Sequence, residues 1–401
     1  MNINPGSLKT SLIVAAYVVA TVVLIFITPL YGDPAVVYWT GKVMRSTGFA
    51  YDPACSKNVH QLCVRAPLYY SLLAISQQYY RIVTAVLFII FIYLQHRISG
   101  YLNINGTLFG LLSPPIYLLF SRTYVDTLTA LLSSLLLLVL LKDSKEGLSK
   151  LFLFLVPVLL VLVRETSLFF PIFLLTLLFY VKSFRRKLLV LMFLGWIAGL
   201  SIYVTYLILS GGNAYSDFQP HIPTPDEVYR SIIIGFTPIL PWEVSERDIQ
   251  SYLPFDVSQN VIFVILFLLK GLTNFFAFVN LMLALIGIRY FSNCGAVKAQ
   301  LVFGSFITVS LLFLKGYIDF YRHLSFLLPI IPGMTSVGIQ KLMSRNRTLA
   351  VLLISLLLSA FMLFFFRQVR SFLQGQAFDA CEYLSKRPEI SGISFFKDTA
   401  C

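Results

Sequence analysis

The sequence predicts an all-α, polytopic membrane protein with about eleven transmembrane helices and two larger extracytoplasmic loops that carry short interfacial helices. Three observations lead there. Of the 401 residues, 58% are hydrophobic and only 12% are charged, against roughly 25% charged residues in a soluble domain. Mean hydropathy is correspondingly high, at +0.81. The apolar residues fall in blocks of up to about twenty, the length a helix needs to cross ~30 Å of hydrocarbon at about 1.5 Å per residue. The short connections between blocks gather basic residues on alternate sides, as in KSFRRK and KLMSRNR, which is the positive-inside pattern. That pattern also accounts for the net charge of +13, so nucleic acid is not an expected partner.

The first span covers 9–30 and is long enough to remain as an anchor, with no small-residue cleavage site. Within three residues of leaving it the chain places an acid, Asp33, followed by Pro34, Tyr38 and Trp39. Asp33 is expected to cap a helix that has Pro34 at its first position. Val36, Trp39 and Val43 then share one face opposite Lys42 and Arg45, as in a helix lying in the membrane interface. A second short helix, PLYYSLLAIS, follows Pro67 and is expected at the surface. Further spans are expected near 80–96, 105–121, 124–141, 150–163, 167–181, 187–209, 271–291, 299–315, 324–340 and 348–366. Between the seventh and eighth, Thr224-Pro225-Asp226-Glu227 reads as a capping box opening another helix.

Basic loops place the N-terminus in the cytoplasm and the C-terminus outside the cell (plasma) membrane. Loops 31–66 and 210–258 and the tail 367–401 fall outside. On this topology 16 of the 18 acids lie at or beyond the outer boundary, Asp143 and Glu146 being the exceptions. The cysteines sort the same way. Cys55 and Cys63 share the first outer loop, Cys381 and Cys401 share the tail, and Cys294 is inside. In an oxidising compartment two local disulfides are expected, the alternative being four free thiols.

Several ionisable groups from different spans lie at one outer depth: Arg81, Arg122, Asp126, Arg164, Glu165, Asp319, Arg322 and His323. Intramembrane charge is costly and by default marks function. The bland alternative is that such groups snorkel to water or pair with each other, as Arg122 could with Asp126 one turn away. A pocket of acids and arginines at headgroup level suits an anionic lipid, since arginine forks onto phosphate. Asp33 has its own alternative, which is simple helix capping. No P-loop, GxSxG, HExxH or dinucleotide fingerprint is present. An activated donor would therefore arrive through the membrane.

An ordered series of segments carries a resemblance: YGDPAVVYW, APLYYSLLAI, YYRIVTAVLFIIFIYL, SPPIYLLFSRTYVDTLTALLSSLLLLVLL, RETSLFFPIFLL and YRHLSFLLPIIP. In that order they resemble the GT-C superfamily of integral-membrane glycosyltransferases, in particular the branch of protein O-mannosyltransferases and the lipid A aminoarabinose transferase. The resemblance implies transfer of a monosaccharide from a polyprenyl- or dolichyl-phosphate carrier to a lipid, glycan or protein acceptor on the extracytoplasmic face. It maps the catalytic acid to Asp33 and the donor phosphate to Arg164 or Arg322, then Arg122 and Arg81. Tyr38, Asp126, Glu165 and His323 are expected to support the site. Residues 1–366 would form the catalytic membrane domain, and 367–401 a short tail. Two features depart from the pattern. Pro34 stands where the O-mannosyltransferases have glutamate, and the second acidic, metal-binding motif of oligosaccharyltransferases is missing. No cofactor is therefore expected, a divalent metal being possible but not favoured. The rival readings are a non-enzymatic lipid-linked sugar flippase or transporter, and a degenerate relative that only binds carrier lipid. A transporter should show two related halves with interrupted helices and charges near the midplane.

Overall fold

The computed structural model describes residues 5–30, 33–58, 60–104, 110–122, 124–142, 147–181, 186–214, 222–228, 258, 261, 264, 279, 282–289, 294–315, 324–373 and 384–400. Apart from one pair of two-residue strands, the regular structure among them is helical. The chain enters through α1 (Pro5–Ile27) and turns into α2, which begins at Asp33 and ends at Thr47. Pro67 opens α3 (Pro67–Ser76), where its missing N–H removes no helical hydrogen bond. A bend at Gln77, whose φ is 37°, and a 3-10 turn lead directly into α4 (Tyr80–Tyr101). Then follow α5 (Pro114–Ser121), α6 (Asp126–Leu141), α7 (Gly147–Val163), α8 (Phe170–Tyr180) and α9 (Arg186–Ser210). The last third holds α10 (Gly295–Lys315), α11 (Ile331–Arg345), α12 (Arg347–Leu373), α13 (Pro388–Ser391) and α14 (Ser394–Ala400).

Among the described residues three helical stretches are long and apolar enough to cross a membrane: Pro67–Tyr101, Arg186–Ser210 and Arg347–Leu373. Five shorter apolar helices accompany them: Val14–Ile27, Asp126–Leu141, Gly147–Val163, Glu165–Tyr180 and Gly295–Leu311.

Prolines explain where helices are shorter than the apolar runs. In the run 105–121 Gly110 is still helical, but residues 111–113 leave the helix and α5 starts at Pro114, because Ser113, lying before Pro114, is held in an extended conformation at φ −60°, ψ 127°. The run 324–340 becomes α-helix only at Ile331, after a 3-10 turn at Leu324–Phe326 and turns through Pro329. In the run 167–181, residues Glu165–Phe169 form a 3-10 turn and α8 starts beside Pro171. The apolar pattern alone marks none of these breaks.

α6 packs against both α4 and its antiparallel neighbour α7, and α7 packs against α9, with which it runs parallel, Gly195 lying by Phe154 and Gly199 by Val158. The α7–α9 contact is close because Gly195 and Gly199 share one side of α9. A Cβ on Gly195 would collide with the Phe154 carbonyl, and one on Gly199 would come within 2.9 Å of the Val158 carbonyl oxygen. Small residues four apart let two backbones approach where lipid supplies no hydrophobic drive. Between α4 and α6, Gln95 donates to the Ser134 hydroxyl at 3.1 Å, both side chains being buried. Phe88, Phe91 and Phe120 fill the core around that seam.

At one end of the bundle the first loop, the end of α9 and the C-terminal segment are built into each other. The strands Cys63–Val64 (β1) and Asn213–Ala214 (β2) pair in parallel. The Tyr51 hydroxyl donates to the Ser210 carbonyl at 2.6 Å, and the Tyr206 hydroxyl accepts from the Ala50 nitrogen at 2.6 Å. Val43, Tyr51 and Val64 share an apolar cluster with Leu384, Ile390, Ile393 and Phe396 of the tail. The Arg387 guanidinium donates to the carbonyls of Pro53 and Ala54, at 3.2 and 2.8 Å. This contact revises the expected amphipathic α2. Residues Pro34–Val37, Thr40, Gly41 and Val43 are all buried, because α3 covers one side and α14 another. The expected polar face survives at Arg45, which is exposed, while Lys42 folds back over the rings of Tyr38 and Trp39.

Candidate functional site

The site is assembled around a single extended residue. α6 and α7 form a hairpin, so the start of α6 and the end of α7 lie at the same end. Asp126 is the first residue of α6, where unpaired backbone N–H groups favour an anion. Arg164 follows the last residue of α7, where unpaired carbonyls favour a cation. The two side chains form an ion pair, with 11% exposure for Arg164 and 2% for Asp126. The Arg164 guanidinium also reaches the buried Ser325 hydroxyl at 3.4 Å. Arg164 has φ −152° and ψ 135°, and in extended backbone successive side chains point to opposite sides. Its neighbour Glu165 accordingly turns away from Asp126 and accepts the backbone nitrogen of Ala66 at 2.9 Å. Ala66 is the N-cap of α3 and carries no side-chain cap there, so Glu165 supplies an acceptor at the opening of α3.

Arg65, adjacent to Ala66, donates from its Nε to Asp52 at 2.5 Å. Asp52 is 1% exposed and also accepts the Ala54 nitrogen at 2.7 Å. Ser56 donates to the Asp52 carbonyl at 2.7 Å and accepts the Cys63 nitrogen at 3.0 Å. Cys55 and Cys63 are disulfide-bonded, with their Cα atoms 5.6 Å apart. Two carboxylate–arginine pairs thus flank the Glu165–Ala66 hydrogen bond.

A second group sits at the other end of α3. Gly41 of α2 packs on Leu73, and the Ser71 hydroxyl meets the Met44 sulfur at 3.6 Å, so α2 and α3 run antiparallel. The start of α2 therefore lies by the start of α4. Tyr38 packs against Tyr80 with ring centres 4.9 Å apart and ring planes tilted by 51°. Burial, and then the neighbouring Tyr80, push the Tyr38 phenol above its ordinary pKa, so it stays protonated at neutral pH. The Arg81 guanidinium accepts nothing and donates twice, to the Tyr80 hydroxyl at 2.7 Å and to the Thr28 carbonyl at 3.2 Å. It thereby ties the end of α1 to the start of α4.

Asp33 opens α2, and its side chain lies outside the described residues. Asp319, Arg322, His323, Cys381 and Cys401 lie outside them altogether; Arg322 and His323 immediately precede Leu324 and Ser325. Arg122 is buried between α5 and α6. Cys294 is a free cysteine. No group of three His, Cys, Asp or Glu that could hold a metal ion occurs among the described residues.

Sequence reasoning did not single out the Asp52–Arg65 pair, Ser325, Tyr203 or Arg387. Asp52 and Arg65 are 13 residues apart on either side of the disulfide, and that bracketing is the one signal in the sequence that points to them. Ser325 and Arg387 are reached across more than a hundred residues, and Tyr203 meets Val161 and Ala66 from 42 and 137 positions away, distances that no local pattern encodes. No family model, curated protein or solved structure matches the chain.

Proposed function

We propose that this protein is a polytopic membrane glycosyltransferase of GT-C type, taking one monosaccharide from a polyprenyl- or dolichyl-phosphate carrier. The observation that carries the reading is the convergence of Asp126, Arg164, Glu165 and Ser325 with Arg65 and Asp52. These groups come from four separate stretches of chain and meet at one end of an apolar helical bundle. The ordered sequence resemblance supports the same reading, and the three stretches of spanning length supply the membrane setting. The N-terminus is cytoplasmic, and the site faces the extracytoplasmic side.

In this mechanism Asp33 accepts the proton of an acceptor hydroxyl, whose oxygen attacks the anomeric carbon. The bond from that carbon to the phosphate oxygen breaks, the configuration inverts, and the lipid phosphate leaves as an anion. Arg322 and Arg164, aided by Arg122, stabilise that charge. Arg81 and Tyr38 hold the start of α2 against α1 and α4, fixing the backbone that carries Asp33.

The test is to incubate the purified protein with a panel of polyprenyl-phosphate sugars and measure release of free lipid phosphate. Release with at least one sugar, dependent on an added acceptor, is expected. Binding of the carrier without release from any member of the panel would leave a carrier-binding protein and no transferase.

A further inference from the structure

The Tyr203 hydroxyl is the strongest unexplained polar atom near the site. Tyr203 lies on α9, is 3% exposed, and packs on Ala66 and Val161. Its oxygen is fully buried and has no hydrogen-bond partner among the described residues. A buried hydroxyl left unpaired loses its hydrogen bonds to water and costs about 1–3 kcal/mol, so its retention calls for a partner from outside the chain. The charges acting on it are the Glu165 carboxylate and the Arg65 guanidinium, neither of which is fully buried. The hydroxyls of Thr166 and Ser167, next in the chain after Glu165, are likewise buried without partners. Buried neutral hydroxyls thus lie close to a partly exposed carboxylate, Glu165, and a partly exposed guanidinium, Arg65.

That set discriminates among ligands. A phosphate would meet the Glu165 carboxylate, and like charges at short range repel. An apolar group would leave three hydroxyls unsatisfied. A sugar ring carries hydroxyls that both donate and accept, so it can donate to Glu165, accept from Arg65, and do either with Tyr203. We propose that Tyr203, Glu165 and Arg65 form a saccharide subsite, which takes hydroxyls of a sugar and not the phosphate of the lipid. The assignment deepens the glycosyltransferase reading and rests on it. Tyr203 is the specificity-determining group, because its hydroxyl is matched only when a sugar hydroxyl reaches it.

The experiment uses the full-length protein in nanodiscs and two probes. Saturation-transfer NMR with free glucose, mannose, galactose, arabinose and N-acetylglucosamine reports sugar contact. Equilibrium binding of polyprenyl phosphate, with and without an attached sugar, separates the two parts of the donor. Tyr203→Phe removes one oxygen and should leave thermal stability unchanged or raised. It should weaken the sugar-bearing lipid about five- to tenfold, the worth of one hydrogen bond, and leave bare polyprenyl phosphate unaffected. Glu165→Gln keeps an oxygen for the Ala66 nitrogen and removes the charge. It should lose free-sugar signal without weakening the bare lipid. Wild-type sugar binding in Tyr203→Phe would overturn the subsite and leave a buried water as the partner of that hydroxyl. Absence of sugar contact in the wild type would overturn it equally. Tyr203-dependent binding of free sugar with no binding of either lipid would leave the subsite standing and remove the lipid-donor reading.

Discussion

Arg164 and Asp126 are ion-paired across the open end of the α6–α7 hairpin, each on the end of its helix that the helix dipole favours. The pair carries two consequences. It closes the hairpin, and it aligns Glu165 on the next residue toward Ala66. A charge that looks from the sequence like a free phosphate clamp is thus also a structural part, and the two roles separate experimentally.

Removing one member of the pair strands the other in a buried position, which costs about 3–5 kcal/mol. Arg164→Ala and Asp126→Ala should each lower the thermal unfolding temperature strongly. The double variant should be less damaged than the sum of the two, because no unpaired charge remains. Donor binding should be lost wherever Arg164 is absent. Additive destabilisation in the double variant would show that the two groups do not act as a pair.

Reduction of the Cys55–Cys63 disulfide releases the turn that holds Asp52. Closing a loop of this length is worth about 2–3 kcal/mol in the entropic description. Thermal stability of the oxidised protein should fall by that order in reductant, and Cys55→Ser should show the same loss without reductant. Non-reducing peptide mapping should recover Cys55 linked to Cys63 and Cys294 alkylated. The tail cysteines, Cys381 and Cys401, are expected as a second linked pair.

The tail should be a required part of the outer end. Phe396 is 1% exposed in the cluster with Val43 and Tyr51, and truncating a buried phenylalanine costs about 3–5 kcal/mol. Phe396→Ala should make the segment after Leu384 susceptible to limited proteolysis while the bundle stays intact. Protease resistance equal to wild type would mean that α14 does not depend on the cluster.

Orientation is testable at two exposed serines, Ser344 at the end of α11 and Ser394 at the start of α14. In a background lacking the native cysteines, Ser394→Cys should react with an impermeant reagent on intact cells, and Ser344→Cys only after permeabilisation. The reverse pattern would place Asp33 in the cytoplasm and remove an extracytoplasmic reaction.

Much of the helical fold is legible in the sequence for a simple reason: apolar runs and capping chemistry act locally. The capping box at Thr224 is an example. The Thr224 nitrogen donates to the Glu227 carboxylate at 2.7 Å and the Glu227 nitrogen to the Thr224 hydroxyl at 3.3 Å. The interruptions at Ser113–Pro114 and Pro329 are less legible, because leucine-rich flanks mask them in a hydropathy pattern. The pairing of the charges is hardly legible at all. Arg122 lies four residues from Asp126 and looks like its helical partner. A 3-10 turn and an extended residue bring Arg164 to Asp126 from 38 positions away, which no local pattern signals. The burial of α2 escapes local reading for the same reason, since the tail that covers it is more than 300 residues distant.

The most direct measurement is turnover of Asp33→Asn. Asparagine caps a helix about as well as aspartate but cannot accept a proton as a base. The glycosyltransferase account predicts a protein with wild-type expression, thermal stability and donor binding, and turnover lower by about two to four orders of magnitude. Turnover above about a tenth of wild type, well short of the loss that removing a positioned base brings, would contradict it. That result would reduce Asp33 to a helix cap and move the search for the base to Asp52 or Asp126.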